Sequence, residues 1–185
     1  MNNVGKSSLA IACKALLEKK YETEFFSDVF YPTKGTSISD NITMLFEQLV
    51  KENKTVKQIN IYDRTSFDNY AFLQMRVNKK RGNQHDLNII QQLYPHIIEQ
   101  LGKYDLIVFL KANEESLDTK TTYVDSDDRK KVNLFLENYY SNTNCVVPIL
   151  VYEIDYNNFN AEIERIAKEI DQRVQNMIYT ETKKV

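Results

Sequence analysis

Apolar residues gather in four short runs along the chain, and each run reads as a strand. They are Glu24–Tyr31 (EFFSDVFY), Lys57–Tyr62 (KQINIY), Tyr104–Leu110 (YDLIVFL) and Val146–Glu153 (VVPILVYE). The third and fourth are nearly continuous, the pattern of strands covered on both faces in a parallel sheet. Between the runs the apolar positions change to helical spacing. Residues 6–20 carry Leu9, Cys13, Leu16 and Leu17 on one stripe, and residues 39–52 carry Ile42, Leu45, Phe46 and Leu49. Residues 87–101 place Leu87, Ile90, Leu93, Ile97 and Leu101 together. The last predicted helix, 159–178, sets Ile163, Ile166, Ala167, Ile170, Val174, Met177 and Ile178 on one face. Strands alternating with helices imply right-handed crossovers and a layered α/β fold.

Length and composition narrow the function. A chain of 185 residues fits one domain spanning 1–185, and 42% hydrophobic with 27% charged residues is an ordinary globular balance. The net charge of −2 lacks the basic surplus of a protein held to nucleic acid by its phosphates. Cys13 and Cys145 stand far apart with no CxxC, so they form neither a metal site nor a disulfide framework, and free thiols suit a cytoplasmic location. No apolar run approaches the roughly 20 residues of a membrane span, and no secretory signal opens the sequence. The abundance of Asn, Lys, Ile and Tyr fits AT-rich codons and a phage or bacterial source.

Gly5-Lys6-Ser7-Ser8 leads straight into the first helical run. In the pattern GxxxxGK[ST], glycine lets backbone N–H groups curl around phosphate oxygens, and the helix N-terminus adds its positive dipole end. Lys6 would reach the β- and γ-phosphates of ATP, Ser7 would hold Mg²⁺ through its hydroxyl, and Gly5 and Ser8 complete the cradle. The alternative is a glycine-led helix start with an exposed lysine. Counting back from Gly5 puts the first glycine of the pattern ahead of Met1, and the strand that feeds such a loop is missing too. A late start at Met1 is the favoured expectation, with upstream codons encoding a short apolar strand that ends near a glycine.

Asp63 and Arg64 follow the second run, about 58 residues after Gly5. Ligands of open parallel sheets collect at the carboxyl ends of the strands. A carboxylate there can hold Mg²⁺, and a guanidinium can grip a phosphate. The alternative is a surface pair capping a turn. GKSS, then FYPTKGTSISDNI at 30–42, DRTSFDNYAF at 63–72 and KYDLIVFL at 103–110 resemble the thymidylate kinases in order, from residue 1 to about 152. The resemblance implies a three-layer P-loop kinase fold with a mostly parallel sheet, here without its first, central strand, and a small lid at about 113–129. It also implies ATP- and Mg²⁺-dependent phosphoryl transfer, with a deoxynucleoside monophosphate as the expected acceptor. Lys34 and Arg64 match acceptor-phosphate contacts, and Asp63 the metal-side acid. Lys120 and Arg129 in the lid would meet the transferred phosphoryl group.

Three departures bear on the acceptor. The stretch between Pro32 and Asp63 is shorter than in that family, Lys34 stands for an arginine and lacks its fork, and Ser39 stands for a glycine. Tyr31 and Phe67 remain candidates to stack a base. Another acceptor (a nucleoside, a pyridine nucleoside or a DNA base) is an alternative, as is a non-catalytic P-loop relic that binds a partner. A homodimer stays open. His85 and His96 are too far apart for a helical metal pair, and Asp125, Asp127 and Asp128 read as an acidic helix start rather than a calcium loop. Lys79-Lys80-Arg81 reads first as a solvated face. Tyr62, Tyr70 and Tyr94 are expected in the core.

Overall fold

The structure is a computed structural model that describes residues 5–27, 37–54, 56–77, 84–111, 126–142 and 147–183, apart from the side chains of 126–129, 141, 142 and 181. The elements run α1 (Lys6–Leu17), β1 (Thr23–Phe26), α2 (Ile38–Glu52), β2 (Ile59–Tyr62), α3 (Ser66–Arg76) and α4 (Gln84–Leu101). They continue with β3 (Ile107–Lys111), α5 (Ser126–Asn142), β4 (Ile149–Glu153) and, after a short 3₁₀ turn, α6 (Phe159–Thr182). The strands form two parallel pairs. Thr23–Phe26 lies against Ile59–Tyr62, and Ile107–Lys111 against Ile149–Glu153, while β2 and β3 are not bonded to each other.

Two apolar cores cover the two faces. Ile107 and Phe109 of β3 face a core built from α2, α3, α4 and α5, with Leu45, Phe67, Leu73, Ile97 and Leu136 at its centre. Leu110, with Leu106 and Val108, faces α1 and α6, where Leu9, Leu17, Ile166 and Ile170 pack. Successive residues of one strand thus feed opposite layers, as the two-residue period requires. The layered α/β fold expected from the sequence is present. Cys13 is buried in the second core beside α6. Burial, with the charge of Asp171 nearby, pushes its thiol up to about 12.

Several expectations change. β4 is half exposed, with Val151 41% accessible, because among the described residues it pairs only with β3 and turns alternate side chains outward. The buried stripe of α2 is Asn41, Leu45, Gln48 and Glu52, so Phe46 faces outward at 49% exposure. The stripe is rotated because its polar members have partners inside. Asn41 Nδ2 donates to Ser37 O at 2.6 Å, and Gln48 Nε2 to Arg64 O at 2.8 Å. Tyr70 is buried as expected, but Tyr94 is exposed, as are His85 and His96. Phe67 is fully buried. Its ring lies 4.1 Å from that of Tyr139 and 5.7 Å from that of Phe135, so it is a core residue with no face left for a base.

Phe67→Ala should cost about 3–5 kcal/mol in a denaturant titration, the range for removing a large buried aromatic. A loss below about 1 kcal/mol would contradict the packing described here.

Candidate active site

Gly5 opens α1 in the left-handed region, at φ 82°. A β-carbon there would meet Phe159 Cε2 at 2.8 Å and Ile154 Cδ1 at 3.2 Å, so both backbone conformation and space call for glycine. No side chain caps α1 and its first turn carries no acid. The N–H groups of a first turn lack intrahelical acceptors, and no carboxylate from the helix itself competes with an anionic ligand for them. Lys6 and Ser7 stand in this turn, with exposed Ser8 beside them.

β2 delivers the facing half. Its chain ends in Asp63 and Arg64 and turns into α3 through a capping box. Thr65 Oγ1 accepts from Asp68 N at 3.3 Å, while Asp68 Oδ2 accepts from Thr65 N at 2.9 Å. The carboxylate of Asp68 is thereby committed to the helix. That of Asp63 reaches the other way, and Ser7 Oγ donates to its Oδ2 at 2.5 Å. Asp63 Oδ1 is buried and has no hydrogen-bond partner among the described residues. Lys6, Asp63, Arg64 and Thr65 border the polar end of one cavity of about 430 Å³. Arg64 is 6% exposed, its guanidinium 5.9 Å above the ring of Phe72.

The turn is held from beneath by two residues that the sequence reading did not single out. Gln48 Nε2 donates to Arg64 O and also to Glu52 Oε1 at 3.0 Å, and Ser66 N donates to the same Glu52 oxygen at 2.5 Å. Burial outweighs these hydrogen bonds and raises the Glu52 pKa above its ordinary 4.5. The readable signal was the spacing 41, 45, 48, 52, a helical face that carries polar residues.

Of the predicted site residues, the structure therefore brings together Gly5, Lys6, Ser7, Asp63 and Arg64, with Ser8 in the same turn. Phe67 lies away from them in the core. Tyr31, Lys34 and Lys120 lie outside the described residues, and so does the side chain of Arg129 in the first turn of α5. No group of three or more His, Cys, Asp or Glu among the described residues could enclose a metal. One carboxylate oxygen without a partner and one hydroxyl, side by side, suit the sparse oxygen coordination by which protein helps to hold Mg²⁺ on a phosphate ligand. Among the described residues no helix is long and apolar enough to cross a membrane.

Solved structures of the deoxyadenosine kinase from M. mycoides share this fold. The form with bound dATP superposes with a TM-score of 0.64 at 17% identity, covering 91% of this chain and 95% of that one. The form with products dCMP and a flexible dCDP gives 0.68 at 18% identity, covering 92% and 95%. The form with dCTP gives 0.58 at 16%, again covering 92% and 95%. Neither a protein-family model nor a curated protein sequence matches the chain.

Two outcomes follow. Gly5→Ala should lower the melting temperature, because the added carbon strains the backbone and strikes Phe159; an unchanged melting curve would show that the turn relaxes freely. A raised carboxyl pKa means that the folded state holds its proton more tightly, so stability falls as pH rises from about 4.5 through the folded value. Glu52→Gln keeps an oxygen acceptor for Ser66 N and should flatten that slope in melting temperature against pH. An unaltered slope would assign it to other groups.

Proposed function

We propose that this protein is an ATP- and Mg²⁺-dependent phosphotransferase whose acceptor is a deoxynucleoside or its monophosphate. The observation that carries the reading is the Ser7–Asp63 hydrogen bond. It ties the first turn of α1, with Lys6, to the carboxyl end of β2, with Arg64. The likeness in fold to a kinase solved with bound dATP and dCTP supports it.

In this reading the amides of the first turn and Lys6 bind the β- and γ-phosphates. Ser7 Oγ and Asp63 would hold Mg²⁺, which would supply positive charge to offset that of the phosphates. Phosphoryl transfer breaks the bond from the γ-phosphorus to its β-bridging oxygen and forms one to an acceptor oxygen. The protein's part is positioning and charge compensation. Arg64, held rigid by Gln48 beneath and Phe72 beside it, is placed to fix the acceptor side. Lys34, Lys120, Arg129 and Tyr31 belong to the same proposal as acceptor and lid contacts, with lid closure at about 113–129 excluding water.

The two acceptor classes rest on different supports. The order of motifs resembles thymidylate kinases and favours a deoxynucleoside monophosphate, whereas the neighbouring folds are deoxyadenosine kinases and favour a deoxynucleoside. We adopt the deoxynucleoside as the first reading, because the stretch between Pro32 and Asp63 is shorter than in the thymidylate kinases and Lys34 lacks the arginine fork expected on an acceptor phosphate. A soluble, cytoplasmic nucleotide-metabolic enzyme is the matching cellular role.

Incubation with labelled ATP, Mg²⁺ and a panel of deoxynucleosides and their monophosphates should give a labelled product with at least one deoxynucleoside. Lys6→Ala and Asp63→Asn should each lower the rate by about 10²–10³, with unchanged melting curves. Absence of transfer to every acceptor, together with no calorimetric binding of Mg²⁺·ATP, would favour the non-catalytic relic instead.

A further inference from the structure

Glu52 ends α2 and is 8% exposed, and its two carboxyl oxygens have different surroundings. Oε1 accepts from two N–H donors, Gln48 Nε2 at 3.0 Å and Ser66 N at 2.5 Å. Oε2 is buried with no ordinary hydrogen-bond partner among the described residues, and so is the hydroxyl oxygen of Tyr104, from the turn after α4. These two groups are neighbours, because each shifts the proton affinity of the other. The asymmetry is the pattern of an undissociated acid. A carbonyl oxygen has two lone pairs for two donors, and the O–H beside it needs one acceptor. Oε1 fills the first role, and an Oε2–H directed at Tyr104 Oη fills the second.

An ion at the same place would put charge on a buried oxygen, which is costly unless a cation pairs with it. The surrounding elements do not supply that cation. Lys103, beside Tyr104, donates to Asn53 Oδ1 at 3.3 Å, and both it and Asp105 are exposed. Arg64 turns its guanidinium over Phe72. Lys51 precedes Glu52 on α2 and so points about 100° away around the helix. The acids of the β2–α3 turn are engaged elsewhere, Asp63 by Ser7 Oγ and Asp68 in the cap of α3. Tyr62 Oη approaches the backbone oxygens of Lys51, Glu52 and Lys54, not the carboxyl. The negative end of α2 and the positive end of α3 act on Glu52 in opposite senses. Burial, the largest influence, raises its pKa, while Tyr104, Gln48 and Ser66 lower it and no cation contributes. Burial and the charge of Glu52 raise the Tyr104 hydroxyl, which therefore stays protonated.

We infer that Glu52 is a positioning residue for Arg64 and does this work as an undissociated acid, with its proton on Oε2 toward Tyr104. Gln48 Nε2 shares its two hydrogens between Glu52 Oε1 and Arg64 O, so acid, amide and carbonyl form one chain. Ser66 N, two residues after Arg64, is held by the same oxygen. When the proton leaves, the buried charge draws water or the Arg64 guanidinium toward it, and either movement loosens both holds on the turn. The hold is therefore complete at low pH and lost as pH rises from about 4.5 through the folded value. The inference deepens the phosphotransferase reading, and its kinetic consequence rests on that reading. Arg64 fixes the acceptor side, so ionisation of Glu52 weakens capture of the acceptor and leaves that of ATP alone.

The test follows the protein by NMR, without nucleotide, from about pH 4 to about pH 9. The Glu52 Cδ resonance should titrate above 4.5, and the Arg64 Nε–H and Ser66 N–H signals should shift with the same midpoint. In Glu52→Gln, which keeps an oxygen for Ser66 and offers a donor to Tyr104, those two signals should stay still. Tyr104→Phe removes the hydroxyl that would steady the ion, so the Glu52 midpoint should rise. A Glu52 midpoint at or below 4.5, or Arg64 and Ser66 signals that ignore its titration, would overturn the inference. An unmoved midpoint in Tyr104→Phe would overturn the placing of the proton. Phosphoryl transfer to the same panel of deoxynucleosides, measured on these samples, keeps the readings apart. The KM for the accepted deoxynucleoside should climb by up to about tenfold per pH unit above the midpoint, and that limb should vanish in Glu52→Gln. The KM for ATP should follow one course in both proteins. Coupled NMR shifts with no transfer leave the hold on Arg64 standing and defeat the kinase. Transfer with a pH profile that Glu52→Gln does not alter does the reverse.

Discussion

The arrangement depends on one short hydrogen bond, from Ser7 Oγ to Asp63 Oδ2. It joins the start of a helix in one layer to the end of a strand in the sheet, across 56 positions of sequence. Without it the cationic end of α1 and the Asp63–Arg64 turn would be two unrelated surface features. With it, Lys6, Asp63 and the buried guanidinium of Arg64 border one cavity, and the Ser7 hydroxyl reaches in to the carboxylate. Charge-assisted contacts of this kind are stronger than neutral ones, and a carboxylate with an oxygen to spare is well suited to hand that contact on to a cation.

That bond is useful only if the turn beneath it is fixed. Fixing is the task of α2, which places two buried polar residues there where an amphipathic helix would place apolar ones. Gln48 grips the carbonyl of Arg64, Glu52 grips the amide of Ser66, and both lie on the stripe that also buries Leu45. The capping box of Thr65 and Asp68 then sets the exit direction into α3. Rigidity at the site is bought with polar groups placed inside the core, each matched to a backbone partner.

Much of the fold was legible in the sequence because period and composition agreed. The stripes of α1, α4 and α6 carried the apolar positions that are buried, and Ile107, Phe109 and Leu110 stood out in a continuous apolar run. What escaped did so for physical reasons. α3 buries Ser66, Phe67, Asn69, Tyr70, Ala71, Phe72 and Leu73 almost all the way round, so it shows no one-sided stripe to detect. Its one local signature, the Thr65–Asp68 cap, formed no part of the sequence reading. On α2, a reading that seeks apolar residues chose Phe46 over Gln48, because a partnered buried amide looks like a surface residue until its partner is seen. Phe67 was misjudged in the opposite sense. Its nearness in sequence to Asp63 suggested a ligand contact, although one turn of α3 carries it into the core. The residues that the structure brings together, Gly5 through Ser7 with Asp63 and Arg64, are those chosen for the phosphate and cation chemistry of their residue types.

The buried thiol of Cys13 has a practical consequence. Shielded by Leu17 and Ile170 and pushed up to about 12, it holds almost no thiolate at neutral pH, and thiolate is the form that alkylating reagents and oxidants attack. Because that sulfur borders the cavity, it is the held proton, more than enclosure by α1 and α6, that slows its labelling by a maleimide.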